Sequence, residues 1–577
     1  MNSLPDRIHP IRYLVTSLMF SLFVVREENA LSDDLYWDAD GDVSAATGGT
    51  GTWTALNTWR ITSSAGTLQS WADSNDAYFG GTAGVVTIGS TAVDPITSYF
   101  TVTDYTLQTD AVTTTRSHPG NIVLSASVEL RLHNAATSAG RAINIGGSIS
   151  GGADSSIVIQ GSQSDLNAAR INLSVDGATL SVPTTIGSSG TGLAGYVATA
   201  NNTSISGSIV NNSTARTMLG AAGGNDLTFA STADHSGTGS LQFSISSGTT
   251  GDGIVRIDGT FSHTGETIFS QATSGVIRMG GNNRLSDDSL LTFVQGTLDL
   301  NGTTQTVAGL SGGSAVGSRG IVNTSVNNGV ISVNVSSGSQ TYAGLIGTPG
   351  SLTNITGANN NIAFTKSGNG TQILTGANTY SGGTMVSGGT FLANNTSGSA
   401  TGSGTVSVTN GATFGGTGNV SGHTTIGDGA TVTAGDVGNV VFDDLSFGGN
   451  LTVGQAGGVS TTWLVDLVGG TGHDTIGVAG ALSLSDVMLD IDFGNVGAGD
   501  SFIIASYGSL TGTFSNTESS GIYSIGGGSW TISYGSTGNN FITVTAVPEP
   551  GAFGLLGIVI VWFGVRRFRR KVKSQRA

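Results

Sequence analysis

The chain contains no cysteine among its 577 residues, and charged residues make up only 10% of it. Without thiols it can form neither disulfides nor thiolate metal sites, and it has no cysteine nucleophile. Its stability must therefore come from packing and backbone hydrogen bonds. Proline is scarce, with 8 residues, whereas glycine occurs 92 times. Together the two stay below the share that signals low-complexity disorder, so a packed core is feasible.

Residues that favour helices are also in short supply. Glycine costs about 1 kcal/mol relative to alanine inside a helix, and the abundant Ser, Thr, Asn and Val are poor helix formers as well. Short apolar pieces separated by Gly and Asn are instead typical of strands joined by tight turns. The composition therefore predicts an all-β protein.

Basic residues are rare in the body of the chain. The formal net charge is −16, and nine of the 21 Lys and Arg residues lie in the first 12 and last 12 positions. Such an acidic body repels phosphate backbones, and no basic stripe with interleaved aromatics occurs in the sequence. We therefore expect no nucleic-acid partner.

Residues 1–30 have the order of a secretory signal peptide. Arg7 and Arg12 precede a largely apolar run, 13–25, which is too short to span a bilayer comfortably. The best small-residue cleavage point follows Ala30. The alternatives are an uncleaved anchor, which would also place the body outside the cytoplasm, and a misassigned start codon.

The segment 547–577 combines three features in a fixed order. It opens with Val547, Pro548, Glu549 and Pro550, continues with an apolar run at 551–565, and ends in a basic cluster. As a helix the run would cover about 22 Å, short of a hydrocarbon core of roughly 30 Å unless flanking residues extend it. Basic residues directly after an apolar segment hold that end on the cytoplasmic side. The cluster consists of Arg566, Arg567, Arg569, Arg570 and Lys571.

This tail resembles the PEP-CTERM sorting signal of exported bacterial proteins. The resemblance implies that a membrane-embedded exosortase recognises Pro548, Glu549 and Pro550, in bacteria that usually make exopolysaccharide. The chain would then be the substrate, tethered briefly to the inner membrane by a single hydrophobic helix and processed to a cell-surface or extracellular form. Exopolysaccharide is accordingly a candidate partner. An ordinary C-terminal anchor is the alternative, and only retention of the tail separates the two.

Residues 91–440 repeat a loose unit of short β-type segments opened by Gly or Asn. The clearest unit, 364–392, resembles the autotransporter-associated β-strand repeat. A degenerate copy lies 117 residues earlier, where 262–268 parallels 379–385 and His263 takes the place of Tyr380. One such unit cannot bury its apolar face alone, so successive units must stack. We predict an elongated parallel β-solenoid, with a string of antiparallel β-sandwich modules as the alternative.

Two further pieces flank the predicted solenoid. Residues 441–546 contain longer apolar strands and are interpreted as a β-rich C-terminal cap or sandwich. Residues 31–90 hold four of the seven tryptophans, which we expect to cover the open N-terminal end of the stack. These are Trp37, Trp53, Trp59 and Trp71.

Acidic residues offer two weak calcium candidates. Asp38, Asp40 and Asp42 alternate as in calcium loops, but the glycine and glutamate that an EF-hand needs are missing, so a solvated acidic loop is favoured. Asp474 lies in 469–476, a single copy of the calcium-binding nonapeptide. Because calcium in such repeats is shared between adjacent turns, a hairpin turn is favoured there.

No combination of residues predicts catalysis or a cofactor. The seven histidines form no metal-ligand pair, and matches to Gly-x-Ser-x-Gly follow from the Gly and Ser content. Many parallel β-helix proteins are polysaccharide lyases or hydrolases, but such sites need converging acids and bases, and the repeat region is poor in Glu and Lys. The sequence therefore indicates a non-enzymatic structural or adhesin-like surface protein. The alternative is a carbohydrate-binding module or a polysaccharide lyase or hydrolase.

Overall fold

The structure is a computed structural model that describes most residues between 34 and 547. The predicted signal peptide and the tail after Val547 lie outside the described residues. In the described part of the chain the only helical element is a short 3-10 turn, Ser515–Thr517, and no helix has the length and apolar character of a membrane span. The described ranges are 34–41, 45–64, 67–91, 93–110, 115–134, 142–161, 169–187, 193–222, 224–245, 253–270, 275–313, 320–348, 357–409, 411–427, 429–435, 443–468, 472–517, 521–535 and 538–547.

The strands form a parallel β-solenoid, which confirms the predicted fold class. Most rungs contribute one short strand to each of three faces, and each strand pairs in parallel with the strand of the same face in the next rung. On the first face Ile122 pairs with Ile149, and Ile149 pairs with Leu180, 27 and 31 residues further along. Later rungs are shorter, since Val406 pairs with Thr424 only 18 residues on.

The first face is a 15-stranded sheet. Its N-terminal edge is antiparallel, because Trp59–Arg60 pairs with both Asp34–Trp37 and Leu68–Gln69, whereas the pairing of Asp34–Trp37 with Asp76–Phe79 is already parallel. Its strands are Asp34–Trp37, Trp59–Arg60, Leu68–Gln69, Asp76–Phe79, Thr97–Phe100, Asn121–Leu124, Ile149–Gly151, Thr179–Leu180, Thr203–Ile205, Asp226–Phe229, Ile254–Ile257, Val276–Met279, Thr297–Asp299, Gly320–Val322 and Leu345–Ile346.

The second face consists of a nine-stranded sheet followed by a 14-stranded one. Backbone hydrogen bonds from Phe261 to Arg284 (2.9 Å) and from Asn283 to Thr304 (2.8 Å) continue the stack between them. The first sheet contains Gly51–Thr52, Val85–Ile88, Tyr105–Thr109, Glu129–Asn134, Ser156–Gly161, Thr184–Ile186, Ile209–Val210, Asp234–Ser236 and Thr260–Phe261. The second contains Thr304–Val307, Gly329–Asn334, Ile362–Ser367, Thr384–Val386, Val406–Val408, Asn419–Val420, Thr424–Ile426, Asp444–Phe447, Leu451–Val453, Thr475–Leu484, Ser501–Thr511, Tyr523–Ile525, Gly528–Tyr534 and Phe541–Ala546.

The third face runs from His118 to Gly494 through parallel pairings, apart from one short antiparallel hairpin at Gly472–His473. Its strands are Arg116–His118, Ala142–Ile145, Ala169–Leu173, Leu193–Ala198, Arg216–Ala221, Leu241–Ile245, Thr267–Phe269, Leu290–Phe293, Gly309–Gly312, Ser339–Tyr342, Thr371–Leu374, Thr390–Ala393, Thr413–Gly415, Thr431–Val432, Thr461–Val468, Gly472–His473 and Val487–Gly494.

Alternate side chains of these strands point inward and form one continuous apolar core from Leu35 to Val544. Because neighbouring rungs are in register, like side chains lie on top of one another. The rings of Phe269 and Phe293 stack with centroids 4.5 Å apart, and those of Phe391 and Phe414 stack at 5.3 Å. Such aromatic pairs add about 0.5–1.5 kcal/mol each beyond the burial of their area.

Glycine is required where the backbone turns a corner next to the following rung. Gly454 follows the strand Leu451–Val453 and has a φ of +77°, a conformation that L side chains rarely adopt. A Cβ atom at this position would also overlap the carbonyl oxygen of Ser485. The high glycine content therefore has a structural cause at such corners.

The tryptophans of the N-terminal segment pack together at the beginning of the core. The ring centroids of Trp53, Trp59 and Trp71 lie 4.8–5.4 Å from one another, and Trp37 lies 5.1 Å from Trp59. This aromatic cluster lies beside the antiparallel edge of the first face. It fills the first described rung with large side chains.

The parallel stack extends beyond residues 91–440, the range to which the sequence assigned the repeats. Thr424–Ile426 pairs in parallel with Leu451–Val453, which pairs with the second half of Thr475–Leu484. The first half of Thr475–Leu484 pairs with Asp444–Phe447. On its other side Thr475–Leu484 pairs with Ser501–Thr511, and the register of this pairing shifts between Val478 and Ala481. Thr475–Leu484 is ten residues long because it continues two separate lines of strands, that of Asp444–Phe447 and that of Leu451–Val453, around one corner. After Ser501–Thr511 the pairing is antiparallel.

Removal of one ring from the aromatic stack should weaken the solenoid. Phe391 is fully buried between Phe364 and Phe414, so we expect Phe391→Ala to lower the free energy of unfolding by about 3–5 kcal/mol. Met385 is 48% exposed on a neighbouring strand, and Met385→Ala should change stability by less than about 0.5 kcal/mol. Urea denaturation followed by circular dichroism measures both. Equal effects of the two substitutions would contradict this assignment of the core.

Candidate functional site

The predicted sorting motif begins where the described chain ends. Val547 donates its backbone N–H to the carbonyl oxygen of Ser529 at 2.8 Å, directly after the strand Phe541–Ala546. That strand lies between Ser501–Thr511 and Gly528–Tyr534. The other residues of the motif and the basic cluster lie outside the described residues, namely Pro548, Glu549, Pro550, Arg566, Arg567, Arg569, Arg570 and Lys571.

The two predicted copies of the repeat share the same internal contact. Tyr380 is fully buried, and its hydroxyl lies 2.6 Å from Oγ1 of Thr384, four residues later. His263 is also fully buried, and its Nε2 lies 2.9 Å from Oγ1 of Thr267, again four residues later. The local contact is therefore shared, but its place in the rung is not, because Thr384 begins a strand of the second face and Thr267 begins a strand of the third face. The predicted equivalence of His263 and Tyr380 is wrong in this respect, since the number of residues between strands differs in the two rungs.

Two further histidines lie in the core and were not recognised from the sequence. Nε2 of His118 lies 2.8 Å from Oγ of Ser98, and Nε2 of His235 lies 2.8 Å from Oγ1 of Thr217. Burial lowers the pKa of His118 and of His263 to about 4, so both imidazoles are neutral at pH 7. We interpret these histidines as hydrogen-bonded core residues.

Lys366 belongs to the clearest repeat unit and is fully buried. Its ammonium donates hydrogen bonds to the carbonyl oxygens of Ser367 (2.8 Å), Gly368 (2.9 Å) and Gly388 (3.0 Å). Burial lowers the pKa of Lys366 to about 8. The side chain joins two turns that follow consecutive strands of the second face, so its role in the repeat is structural.

The first calcium candidate differs from the expectation of a solvated loop. Asp38 is fully buried, where one carboxylate oxygen pairs with Arg60 and the other accepts a hydrogen bond from the hydroxyl of Thr47 at 3.0 Å. The expectation is therefore wrong for Asp38, because alternation along the chain does not show that the paired strand brings a buried arginine beside it. Asp40 is exposed, and Asp42 lies outside the described residues.

The second calcium candidate, Asp474, directly follows a short antiparallel pairing, and residues 469–471 of the predicted turn lie outside the described residues. Leu467 pairs antiparallel with His473, and the neighbouring carboxyl of Asp474 is only 3% exposed. It accepts backbone hydrogen bonds from Asp443 (3.2 Å) and Asp466 (3.3 Å). Burial raises the pKa of Asp474 to about 7, and the charges of Asp466 and Asp443 act in the same direction. Within the described ranges, no three His, Asp or Glu side chains are grouped so that they could hold a metal ion.

The raised pKa of Asp474 makes stability depend on pH. In the unfolded chain the carboxyl titrates at about 3.9, whereas in the folded chain it titrates at about 7. Between these values the folded state holds a proton that the unfolded state lacks, so the free energy of unfolding falls as the pH rises from about 4 to about 7. Asp474→Asn removes this loss, and we expect it to stabilise the protein by about 1–3 kcal/mol at pH 8.

The matched control for this prediction is Asp444→Asn, because Asp444 is exposed one rung away. Denaturant titrations at pH 4, 6 and 8 provide the measurement. A difference between Asp474→Asn and wild type that stays the same at all three pH values would contradict the prediction.

Loss of the buried ammonium should destabilise the repeat. Lys366→Met keeps most of the apolar stem but leaves three carbonyl oxygens without their donor, and we expect a cost of about 2–4 kcal/mol. Arg256→Met serves as the control, because the Arg256 side chain is 44% exposed and pairs with Asp258, two residues along the chain. Thermal unfolding of both variants tests this. A melting temperature equal to that of wild type for Lys366→Met would contradict the structural role.

Comparison with known families identifies one segment. Residues 364–393 match the family model of the passenger-associated-transport-repeat, which confirms the predicted autotransporter-associated β-strand repeat. The match includes Lys366 and Tyr380 and covers strands of the second and third faces. No curated protein matches the chain. Because this repeat is found in passenger proteins of the autotransporter type, it indicates an exported surface or extracellular protein.

Proposed function

We propose that this protein is a structural or adhesin-like rod of the cell surface or extracellular matrix. The observation that carries the proposal is the passenger-type repeat at 364–393, set within one parallel solenoid whose core is continuous from Leu35 to Val544. Stacked rungs extend a protein along one axis and give it a long lateral surface. Such a rod suits display or scaffolding outside the cell.

The polar interior supports a role without catalysis. The buried histidines bind neighbouring hydroxyls and are neutral at pH 7, and Lys366 is enclosed by three carbonyl oxygens. The ion pairs of Arg116 and Arg256 join residues close in sequence. The histidines and Lys366 are enclosed in the core, where they have no access to a substrate.

Delivery through the C-terminal tail is the second part of the proposal. The order of Pro-Glu-Pro, apolar run and basic cluster resembles the PEP-CTERM signal, and an exosortase-type enzyme of the inner membrane would be the processing partner. The hydrogen-bonded end of the solenoid at Val547 supports this arrangement, because cleavage just after it would leave every described strand intact. Two prolines at the motif favour an extended chain, which a processing enzyme can bind.

A carbohydrate-binding role is the second candidate function. It is favoured by an uncharged groove on the surface of the last rungs, lined by Tyr507, Phe541 and several Ser, Asn and Gly residues. In that case exopolysaccharide would be a ligand as well as a neighbour of the rod. A polysaccharide lyase or hydrolase would need converging acids and bases beside the groove.

Processing of the tail can be measured by mass analysis of the mature C-terminus. We expect a chain that ends near Pro548 in the wild-type strain and an intact basic tail in a strain without its exosortase. Glu549→Ala should block processing, whereas Gln575→Ala, downstream in the same tail, should not. An intact tail in both strains would refute processing, and a tagged protein found in the cytoplasm would refute export.

A further inference from the structure

A groove runs along the outer surface of the last rungs, over the part of the 14-stranded sheet that contains Asp444–Phe447. Its volume is about 790 Å³, and it is lined by residues from five consecutive strands or turns, together with Gly398. The lining segments are 419–421, 446–448, 477–479, 506–508 and 540–541. It therefore lies parallel to the stacking direction of the solenoid.

The floor of the groove is one column of outward-facing residues in register. Asn419 pairs with Ser446, Ser446 with Gly477, Gly477 with Ser506, and Ser506 with Phe541. Since neighbouring strands lie about 4.8 Å apart, the column is about 19 Å long. The three middle residues of the column are small and leave a trough. The side-chain amide of Asn419 lies at one end of it, and the ring of Phe541, which is 39% exposed, lies at the other.

Two of the four glycines that line the groove, Gly448 and Gly477, are not required by the backbone. A Cβ atom at Gly477 would come no closer than 3.6 Å to Oγ of Ser506, and one at Gly448 no closer than 3.6 Å to Cα of Ser421. Neither residue has a positive φ. This differs from corner glycines such as Gly454. Glycine inside a strand weakens it and often marks close approach of a ligand, so the missing side chains have the effect of keeping the groove open.

The chemistry of the lining defines the ligand. None of the residues that line the groove carries a charge, although the chain has a net charge of −16. Serine hydroxyls and asparagine amides both donate and accept hydrogen bonds, and the exposed ring of Phe541 offers apolar surface. An anionic polymer would be repelled by the protein, and a cationic one would find no carboxylate in the groove. The lining residues lie on the face of a sheet, so a peptide cannot bind there as an added strand.

We propose that this groove binds a linear, uncharged polysaccharide along the solenoid axis. The proposal rests on the extracellular location proposed above, because that is where the protein would meet such a polymer. Hydroxyl groups of successive sugar units would bind the column of Asn419, Ser446 and Ser506. One sugar face would pack against Phe541. Gly477 sets the depth at which the chain lies.

Binding can be tested on the purified full-length protein by isothermal titration calorimetry. The probes are four neutral hexasaccharides, cellohexaose, laminarihexaose, maltohexaose and mannohexaose, with hexagalacturonate as the anionic comparison. We expect at least one neutral hexasaccharide to bind and hexagalacturonate not to bind. Gly477→Thr places a β-branched side chain in the trough and should weaken binding about ten-fold or more with an unchanged melting temperature.

Gly494→Thr is the matched control, because Gly494 also lies in a strand and lies outside the groove, and a Cβ built there has no atom within 4 Å. It should bind as wild type does. Phe541→Ala, which removes an exposed ring, provides a second variant if Gly477→Thr fails to fold, and it should also weaken binding.

Three results would overturn the proposal: no binding of any neutral hexasaccharide, binding of hexagalacturonate alone, or full affinity in folded Gly477→Thr or Phe541→Ala. The calorimetry is independent of cellular location. An exported and processed protein that binds no neutral hexasaccharide would overturn the groove proposal alone. A cytoplasmic protein that binds one would overturn the delivery proposal alone.

Discussion

Parallel hydrogen bonding between successive rungs is the interaction on which the rest of the structure depends. Each short strand satisfies its backbone groups with the strand before and the strand after it, so no strand is stable without its neighbours. In-register pairing then places equivalent residues of successive rungs on top of one another. This register brings phenylalanine rings of neighbouring rungs into stacking contact, as in Phe269 and Phe293.

The same register explains why charge is scarce in the described rungs. A charged residue repeated at one position would face a like charge about 4.8 Å away in the next rung. Arg256 lies beside Arg278 in this way, and each of them pairs with an aspartate, Asp258 or Asp299. Uncharged Ser and Thr can repeat in a column without such a partner. On the third face Thr371, Thr390 and Thr413 do so.

The fold was predictable from the sequence to the extent that it depends on local pattern. Glycine at turns, short alternating strands and the repeat unit at 364–392 indicated a solenoid, and the structure and the family match agree. The burial of Asp38 and Lys366 was not predictable, because both depend on which distant residues the register brings beside them. The pairing of Thr475–Leu484 with two separate strands and the groove above Gly477 have the same cause. Neither feature can be predicted from a short segment of the sequence.

The exit of the chain at Val547 has a mechanical consequence. Phe541–Ala546 is an inner strand of the antiparallel end, hydrogen-bonded on both sides, so it is not a free edge. A force that pulls on the C-terminus along this strand loads its hydrogen bonds together in shear, whereas an edge strand pulled sideways would lose them one at a time. A solenoid held by this end would therefore resist tension from a moving cell or a flowing medium while it is still attached.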